Sequence, residues 1–180
     1  MELIGEKVIL YPFAEQDFNY FFKLFNNGNR INMAALIPMK KEKIQELLAH
    51  RMINQTTLGF VATRQFGTSL KKLGIVFLKM MDEHMVNISN LTDEFVLKGL
   101  RKRFKKGKLT YSEDIMNTVT KFCFENDKIE RVETIIPTKD RLKISLMKQV
   151  GYMNEGNLKK YIKAGEELFD ATILAKVKGG

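Results

Sequence analysis

The segment from residue 129 to residue 177 constrains the fold most, because a strand, a helix and a hairpin are predicted there in direct succession. Ile129–Ile136 alternates like a strand and ends before a proline. Lys139–Val150 places apolar residues at helical spacing and is followed by a glycine, a frequent helix stop. Tyr152–Lys163 and Glu167–Val177 are long strand-like segments joined by a glycine-containing turn. This order predicts a domain in which helices pack on a mixed sheet.

The first two thirds of the chain add elements of the same kinds. Val8–Tyr11 predicts a first strand, and phenylalanines at helical spacing after Asp17, the expected N-cap, predict a first helix. Gly59–Arg64 and Leu73–Met81 predict an antiparallel hairpin, and Met85–Leu91 predicts a fourth strand. Further helices are predicted over Lys40–Asn54, from Thr92 or Asp93 to about Phe104, and over Thr110–Asn126.

Length and composition favour one domain. With 180 residues, of which 44% are hydrophobic, the chain can bury one core but not two of comfortable size, so we expect a single domain over residues 1–180. No segment approaches the roughly 20 apolar residues that span a bilayer. Glu2, Glu6 and Lys7 stand where a signal peptide would be apolar. We therefore expect a cytoplasmic protein that does not enter a membrane.

Metal and disulfide chemistry have little support in the sequence. Cys123 is the lone cysteine and lies in an apolar run, which is typical of a buried structural thiol. His50 and His84 are far apart, and no clustered carboxylates accompany them at ligand spacing. We therefore expect no metal site.

The net charge of +9 is concentrated in one segment. Lys98–Lys108 holds seven basic residues and no acidic residue, and the rest of the chain is close to neutral. A strand is predicted before this segment, and a helix is predicted after its glycine, Gly107. Backbone N–H groups and the helix dipole in such a loop face the same anion, which makes Lys105, Lys106, Gly107, Lys108, Leu109 and Thr110 a candidate phosphate cradle. The alternative is a solvated basic surface.

Two groups of residues, one at the start of the chain and one in its last third, have a recognisable spacing. They are Gly5-Glu6-Lys7-Val8-Ile9-Leu10-Tyr11-Pro12 with Asp17, and Arg131-Val132-Glu133, Gly151-Tyr152, Glu155-Gly156-Asn157-Leu158, Lys160-Tyr161, Gly165-Glu166 and Asp170-Ala171. Together they resemble the GNAT superfamily of acyl-CoA-dependent N-acetyltransferases, and within it the RimJ/RimL type that acetylates protein N-termini and similar amines. The resemblance implies an α/β (α+β) fold with a central mixed, mostly antiparallel sheet of about seven strands flanked by about four helices.

The resemblance also implies acetyl-CoA as cosubstrate, without a metal. In relatives a loop of pattern Q/R-x-x-G-x-G/A holds the pyrophosphate through backbone amides at a helix N-terminus. That loop falls on Phe104–Leu109, where Gly107 keeps the first glycine but Leu109 replaces the second. A leucine there is expected to weaken or reshape the cradle, while the lysines compensate electrostatically. The residues expected to bind acetyl-CoA on the fourth strand and in this loop are Ile88, Ser89, Asn90, Arg103, Lys105, Lys106, Gly107, Lys108, Leu109 and Thr110.

A second family signature, N-x-x-S, falls on Asp140 and Lys143, which are also expected beside acetyl-CoA. An aspartate accepts a hydrogen bond but does not donate one as asparagine does. Met147 stands where many relatives place a tyrosine that protonates the departing thiolate, and methionine does no acid-base work. The fourth strand has no counterpart of the carboxylate base proposed for relatives.

Several residues are candidate substitutes for these catalytic groups. Glu155 is a candidate base, although its family position is more often structural. His84, at the start of the fourth strand, is a second candidate base, with an exposed strand-end histidine as the alternative. Ser145 and Tyr111 are candidate acids on helices beside the expected cosubstrate, with solvated or packed side chains as the alternative.

Two functions of different classes are open. The first is acetyl transfer by direct attack of a protein N-terminus or another primary amine on the thioester, with a backbone amide of the fourth strand polarising the carbonyl. The basic rim disfavours a free polyamine and favours an acidic protein or an RNA-associated target. The second is a catalytically inactive GNAT-fold protein that binds nucleic acid or an acidic partner protein through Lys98–Lys108. A composition rich in Lys, Asn, Phe and Met suits a phage or another fast-evolving genome.

Overall fold

Eight strands form one sheet in the computed structural model, which describes residues 1–26, 42, 45–46, 57–92, 109–164 and 166–180. The strands are β1 (Leu3–Ile4), β2 (Ile9–Pro12), β3 (Thr57–Phe66), β4 (Ser69–Met80), β5 (Met85–Thr92), β6 (Arg131–Pro137), β7 (Met153–Ala164) and β8 (Glu167–Val177). The α-helices in the same residues are α1 (Phe18–Asn26), α2 (Tyr111–Glu125) and α3 (Arg141–Gln149), and a 3-10 turn, Glu15–Asp17, precedes α1.

The sheet is mixed and mostly antiparallel. Its strands lie in the order β1-β2-β3-β4-β5-β6-β8-β7, and every adjacent pair is antiparallel except β5 and β6, which are parallel. A parallel pair needs a crossover connection, and α2 lies on the connection between β5 and β6. α3 then leads from β6 to the β7–β8 hairpin, which places β8 beside β6.

This architecture confirms the predicted sheet and its hairpins. β1 is an additional strand, and its two residues are too short to show a period-2 pattern in the sequence. The helix predicted over Lys40–Asn54 lies outside the described residues except for residues 42, 45 and 46, which are helical. The helix predicted to end near Phe104 and the basic segment Lys98–Lys108 lie outside the described residues.

Asp17 is not the simple N-cap that the sequence predicted, because the helical turn begins two residues earlier. It is fully buried at the end of the 3-10 turn. Its carboxylate accepts the backbone N–H of Ala14 at 3.1 Å, the Tyr11 hydroxyl at 3.0 Å and the Lys72 ammonium at 2.6 Å. Three partners satisfy the buried charge and tie the start of α1 to β2 and β4.

Two apolar cores cover the two faces of the sheet. On one face, called the α2/α3 face, the predicted apolar residues of α2 are buried: Ile115, Val119 and Cys123. On the opposite face, called the α1 face, the ring of Phe21 packs against Phe13 and Phe77 at centroid distances of 6.1 Å and 5.7 Å. Within the described part of the chain, no helix has the length and apolar character that a membrane span requires.

The turn between β1 and β2 is held against α2 by a buried carboxylate. Asp114 accepts backbone N–H groups from Glu6 at 3.1 Å, from Lys7 at 2.6 Å and from Val8 at 3.1 Å. Gly5 allows this close approach, since a Cβ there would lie 2.5 Å from Thr118 Oγ1 and 2.8 Å from the Asp114 carboxylate. The carboxylate thus joins the start of the sheet to the first turn of the helix on the crossover.

We predict that Asp114→Asn lowers the free energy of unfolding by about 2–4 kcal/mol, because an amide NH₂ would face backbone N–H donors and the ionic acceptor is lost. Urea unfolding at pH 7 measures the change. Asp127→Asn, at an exposed carboxylate near Lys178, is the matched control and should leave the stability unchanged. Equal stability of the Asp114 variant and the wild type would contradict the prediction.

Candidate active site

A gap opens between β5 and β6 after three residue pairs. Met85, Val86 and Asn87 of β5 pair with Arg131, Val132 and Glu133 of β6. Beyond these pairs β5 continues to Thr92 along β4, and β6 continues to Pro137 along β8. In the described residues, the edges of the two strands that face each other beyond Asn87 and Glu133 therefore have no ladder partner. Unpaired backbone N–H and C=O groups at such an edge are available to a ligand.

Two helices begin at the edge of the sheet toward which the β5–β6 gap opens. Three residues separate the end of β6 from the start of α3. Tyr111, the first residue of α2, accepts a hydrogen bond at 2.9 Å from Arg64. Arg64 lies close to the end of β3, and β3 runs in the same direction as β5. The N-termini of α2 and α3 therefore lie at the same edge of the sheet, and their dipoles favour an anion there.

Each helix start carries a buried polar atom that has no hydrogen-bond partner within the described residues. These atoms are Ser112 Oγ in the first turn of α2 and Oδ2 of Asp140, the N-cap of α3. The other oxygen of Asp140 accepts the Lys143 backbone N–H at 3.1 Å. Burial of an unpaired polar atom is costly, so a ligand that bonds these atoms would gain binding energy.

Asp140 and Lys143, both expected beside acetyl-CoA, form a buried pair of opposite charge. Burial raises the pKa of the Asp140 carboxyl group, and the Lys143 charge opposes this rise. Burial lowers the pKa of the Lys143 ammonium, and the Asp140 charge opposes this fall. The structure brings both residues to the start of α3, beside the end of β6.

Only the last two residues of the predicted phosphate cradle are described. Thr110 caps α2: its hydroxyl accepts the Glu113 N–H at 3.3 Å, and the Glu113 carboxylate accepts the Thr110 N–H at 2.7 Å. The Leu109 carbonyl accepts the Lys7 ammonium at 2.5 Å. The remaining cradle residues lie outside the described residues: Arg103, Lys105, Lys106, Gly107 and Lys108.

The three residues expected to bind acetyl-CoA on the fourth strand lie in β5 at the gap. Ile88 is buried in the α2/α3 core, whereas Ser89 is exposed and pairs with Phe77 on the α1 face. Asn90 pairs through its backbone with Val76. The groups that all three residues present to the gap are therefore the backbone N–H and C=O groups of the β5 edge.

A row of polar side chains crosses the α1 face where the gap begins. The Asn87 amide donates to Glu133 Oε1 at 3.4 Å. Arg131 donates to Glu133 Oε2 at 3.3 Å and 3.1 Å. The side chain of Glu133 is 12% exposed. Glu133 is a further catalytic candidate that was not predicted from the sequence, although its spacing of two from Arg131 indicates a shared face of one strand.

Glu155, the predicted base, is bound to Arg131 in the same row. The two terminal nitrogens of Arg131 donate to the Glu155 carboxylate at 2.9 Å and 2.5 Å. These hydrogen bonds lower the pKa of the Glu155 carboxyl group. A carboxylate with a lowered pKa is a weaker base than a free glutamate, which favours the structural role of Glu155.

The other candidate catalytic residues lie away from the gap. His84 precedes β5, on the far side of the three paired residues, where its imidazole is exposed and lies 3.0 Å from Asp82. Ser145 is on the exposed side of α3 and accepts a hydrogen bond from Gln149 at 3.3 Å. Met147 is buried in the core of the α2/α3 face. Tyr111 is partly buried under the Arg64 guanidinium.

The fold is that of the GNAT acetyltransferases, as comparison with solved structures shows. One neighbour is a spermidine N-acetyltransferase from Vibrio cholerae in complex with CoA and spermine, with 12% identity, 96% coverage of both chains and a TM-score of 0.74. A GNAT-family acetyltransferase from Bacillus anthracis has 19% identity, 98% coverage of both chains and a TM-score of 0.72. An acetyltransferase from Salmonella typhimurium that modifies the N-terminal serine of ribosomal protein L7/L12 has 10% identity, 98% and 99% coverage and a TM-score of 0.77. No protein-family model and no curated protein sequence matches the chain significantly.

We predict that Arg131→Ala destabilises the protein at pH 7 by about 1 kcal/mol, since two neighbouring carboxylates lose their counter-charge and water partly screens the exposed Glu155. Because the pKa of Glu155 is lowered in the folded state, its contribution is present above the unfolded pKa and is lost as pH falls through the folded pKa. The difference from the wild type should therefore shrink below about pH 4. Urea unfolding at pH 7 and pH 3.5 tests this, with Lys128→Ala as the control; a difference that grows on acidification would refute it.

Proposed function

We propose that this protein is an acetyl-CoA-dependent N-acetyltransferase that acts on a primary amine. The observation that carries the proposal is the β5–β6 gap, whose facing strand edges have no ladder partner in the described residues, with two helices beginning at the same edge of the sheet. The Vibrio cholerae neighbour with this fold is a spermidine N-acetyltransferase in complex with CoA.

The described residues fit acetyl-CoA at three kinds of position. The β5 edge from Ile88 to Asn90 offers backbone groups to the amides of the pantetheine arm. Asp140 Oδ2 offers a buried acceptor, and Ser112 Oγ offers a buried hydroxyl near the helix start where phosphate is favoured. Bound acetyl-CoA supplies the thioester whose acetyl group is transferred.

Glu133 is the residue that we assign to the acceptor amine. Its carboxylate lies at the start of the gap on the α1 face, opposite the helices that would contact the cosubstrate. Oε1, whose hydrogen bond from the Asn87 amide is long at 3.4 Å, accepts an N–H of the amine and so aims the lone pair of the amine nitrogen at the carbonyl carbon. The new N–C bond forms as the C–S bond breaks, and a water beside Glu133 carries away the amine proton.

The remaining steps depend on backbone and solvent rather than on a strong acid. A β5 backbone N–H that points into the gap stabilises the negative charge on the carbonyl oxygen. Met147 offers no proton, so the leaving thiolate is protonated by water. Positioning of the amine and the thioester then supplies much of the rate enhancement.

We predict micromolar binding of acetyl-CoA by isothermal titration calorimetry and a rise in melting temperature on addition of the cosubstrate. Desulfo-CoA should bind as well, because the contacts above involve the pantetheine and the phosphates. If the folded protein shows no heat and no thermal stabilisation at millimolar acetyl-CoA, the acetyltransferase proposal fails. The inactive alternative would then be tested by nucleic-acid binding, which should fall steeply with salt.

We predict that Glu133→Gln lowers kcat by about 10²-fold in a thiol-release assay with amine acceptors, while acetyl-CoA binding changes little. The amide keeps the size of the side chain but accepts the amine N–H less well and carries no charge. Glu125→Gln, at an exposed carboxylate near the end of α2, is the matched control. Unchanged kcat in Glu133→Gln would remove this residue from the mechanism without touching the cosubstrate site.

A further inference from the structure

A basic pocket of about 730 Å³ lies at the carboxyl end of β6. Three of its lining side chains are cationic: Lys139, Arg141 and Lys160. One is anionic, Asp170, and its carboxylate is already bound by the Lys159 ammonium at 3.0 Å. The lining side chains therefore leave an excess of positive charge. An open pocket with this balance attracts an anionic group.

The pocket is shaped by an irregularity in β7. The register between β7 and β8 shifts between Leu158 and Ile162, and Lys160 within this shift has a φ of 49°. The Asp170 carboxylate holds the irregular backbone by accepting the Lys160 N–H at 2.8 Å. This bond also lowers the pKa of the Asp170 carboxyl group. The bulge therefore has a fixed anchor and turns a lysine toward the pocket.

An aromatic ring forms one wall of the pocket. Phe169 packs under the Lys139 ammonium, which lies 3.7 Å from the ring centroid. β8 continues without a break from Phe169 to Ala175, which pairs with Glu133. Paired residues on neighbouring strands share a face of the sheet, and so do residues an even number of positions apart on one strand. Phe169 therefore lies on the same face as Ala175 and its partner Glu133.

The spacing between the gap and the pocket matches a short extended peptide. Pro137 lies four positions after Glu133, which is about 13 Å of strand. Phe169 lies six positions before Ala175, which is about 20 Å. An extended peptide covers about 3.3 Å per residue. An acceptor with its first residue at Glu133 would therefore bring its residues 5 to 7 to the pocket.

We propose that the acceptor is a peptide or protein N-terminus with acidic residues at about positions 5 to 7, which the basic pocket binds. This inference rests on the proposed acetyltransferase function and specifies its acceptor. The excess positive charge repels a polyamine, so spermidine is a poor acceptor for this chain. The pocket thus determines specificity at a distance from the reacting amine.

The test compares two peptides that differ only in having glutamate or glutamine at positions 5 to 7. The wild type should acetylate the glutamate peptide with a kcat/KM at least about 10-fold higher, and the preference should decrease with salt. In Arg141→Gln/Lys160→Gln the preference should fall to about 2-fold or less. Lys121→Gln/Lys128→Gln removes the same charge from exposed sites elsewhere and should keep the preference. Melting temperatures of both variants establish that each is folded.

The outcomes separate this inference from the proposed function. Equal kcat/KM for the two peptides in the wild type, or efficient acetylation of spermidine, would overturn the inference while leaving acetyl transfer intact. A raised KM for acetyl-CoA in Arg141→Gln/Lys160→Gln, without a change in peptide preference, would assign the pocket to a cosubstrate phosphate instead. If no amine is acetylated, fluorescence anisotropy with the labelled peptides still tests the anion site. Tighter binding of the glutamate peptide by the wild type, lost in Arg141→Gln/Lys160→Gln, supports the site. Equal binding of the two peptides refutes it.

Discussion

Three parallel residue pairs between β5 and β6 join the two parts of the sheet, five strands on one side and three on the other. Three described residue pairs provide few backbone hydrogen bonds between the two parts, so side-chain packing on the α2/α3 face has to stabilise their association. A single apolar core there includes Val86 from one part and Val132 from the other, packed with α2 and α3. A buried hydrogen bond of 2.7 Å between Thr120 of α2 and Tyr152, which precedes β7, also crosses between the two parts. The gap can stay open because the helices, rather than the strands, provide the cohesion around it.

Most of the fold could be predicted from local patterns. The alternation in β6, the glycine stop after α3 and the glycine-containing turns of the hairpins are all set by residues close in sequence. β1 was missed because two residues show no period. The partners of Asp17 were missed because Lys72 and Tyr11 reach it only after β2 and β4 have paired through β3.

The candidate active site was less predictable, because its key feature is the registration of strands distant in sequence. Glu133 faces Asn87 only because β5 and β6 pair in one particular parallel register. Glu155 meets Arg131 across β8 at a register shift in β7, between Asn154 and Gly156, which no sequence pattern indicated. The resemblance placed Asp140 and Lys143 in the helix after β6, and the structure has them at the start of α3. The resemblance did not predict that the opposite charges of these two residues are buried together. Each charge offsets the shift that burial causes in the pKa of the other group.

The two irregularities of β7 also affect how the sheet meets other protein chains. β7 is twelve residues long and lies at the end of the strand order, so an unbroken β7 would present a long row of free backbone groups. Its register shifts near Glu155 and near Lys160 divide that row into short pieces, and Lys159 and Lys160 place positive charge at the second interruption. An edge that is bulged and charged in this way is a poor template for strand addition. The bulge that shapes the basic pocket therefore also protects the sheet against edge-to-edge aggregation.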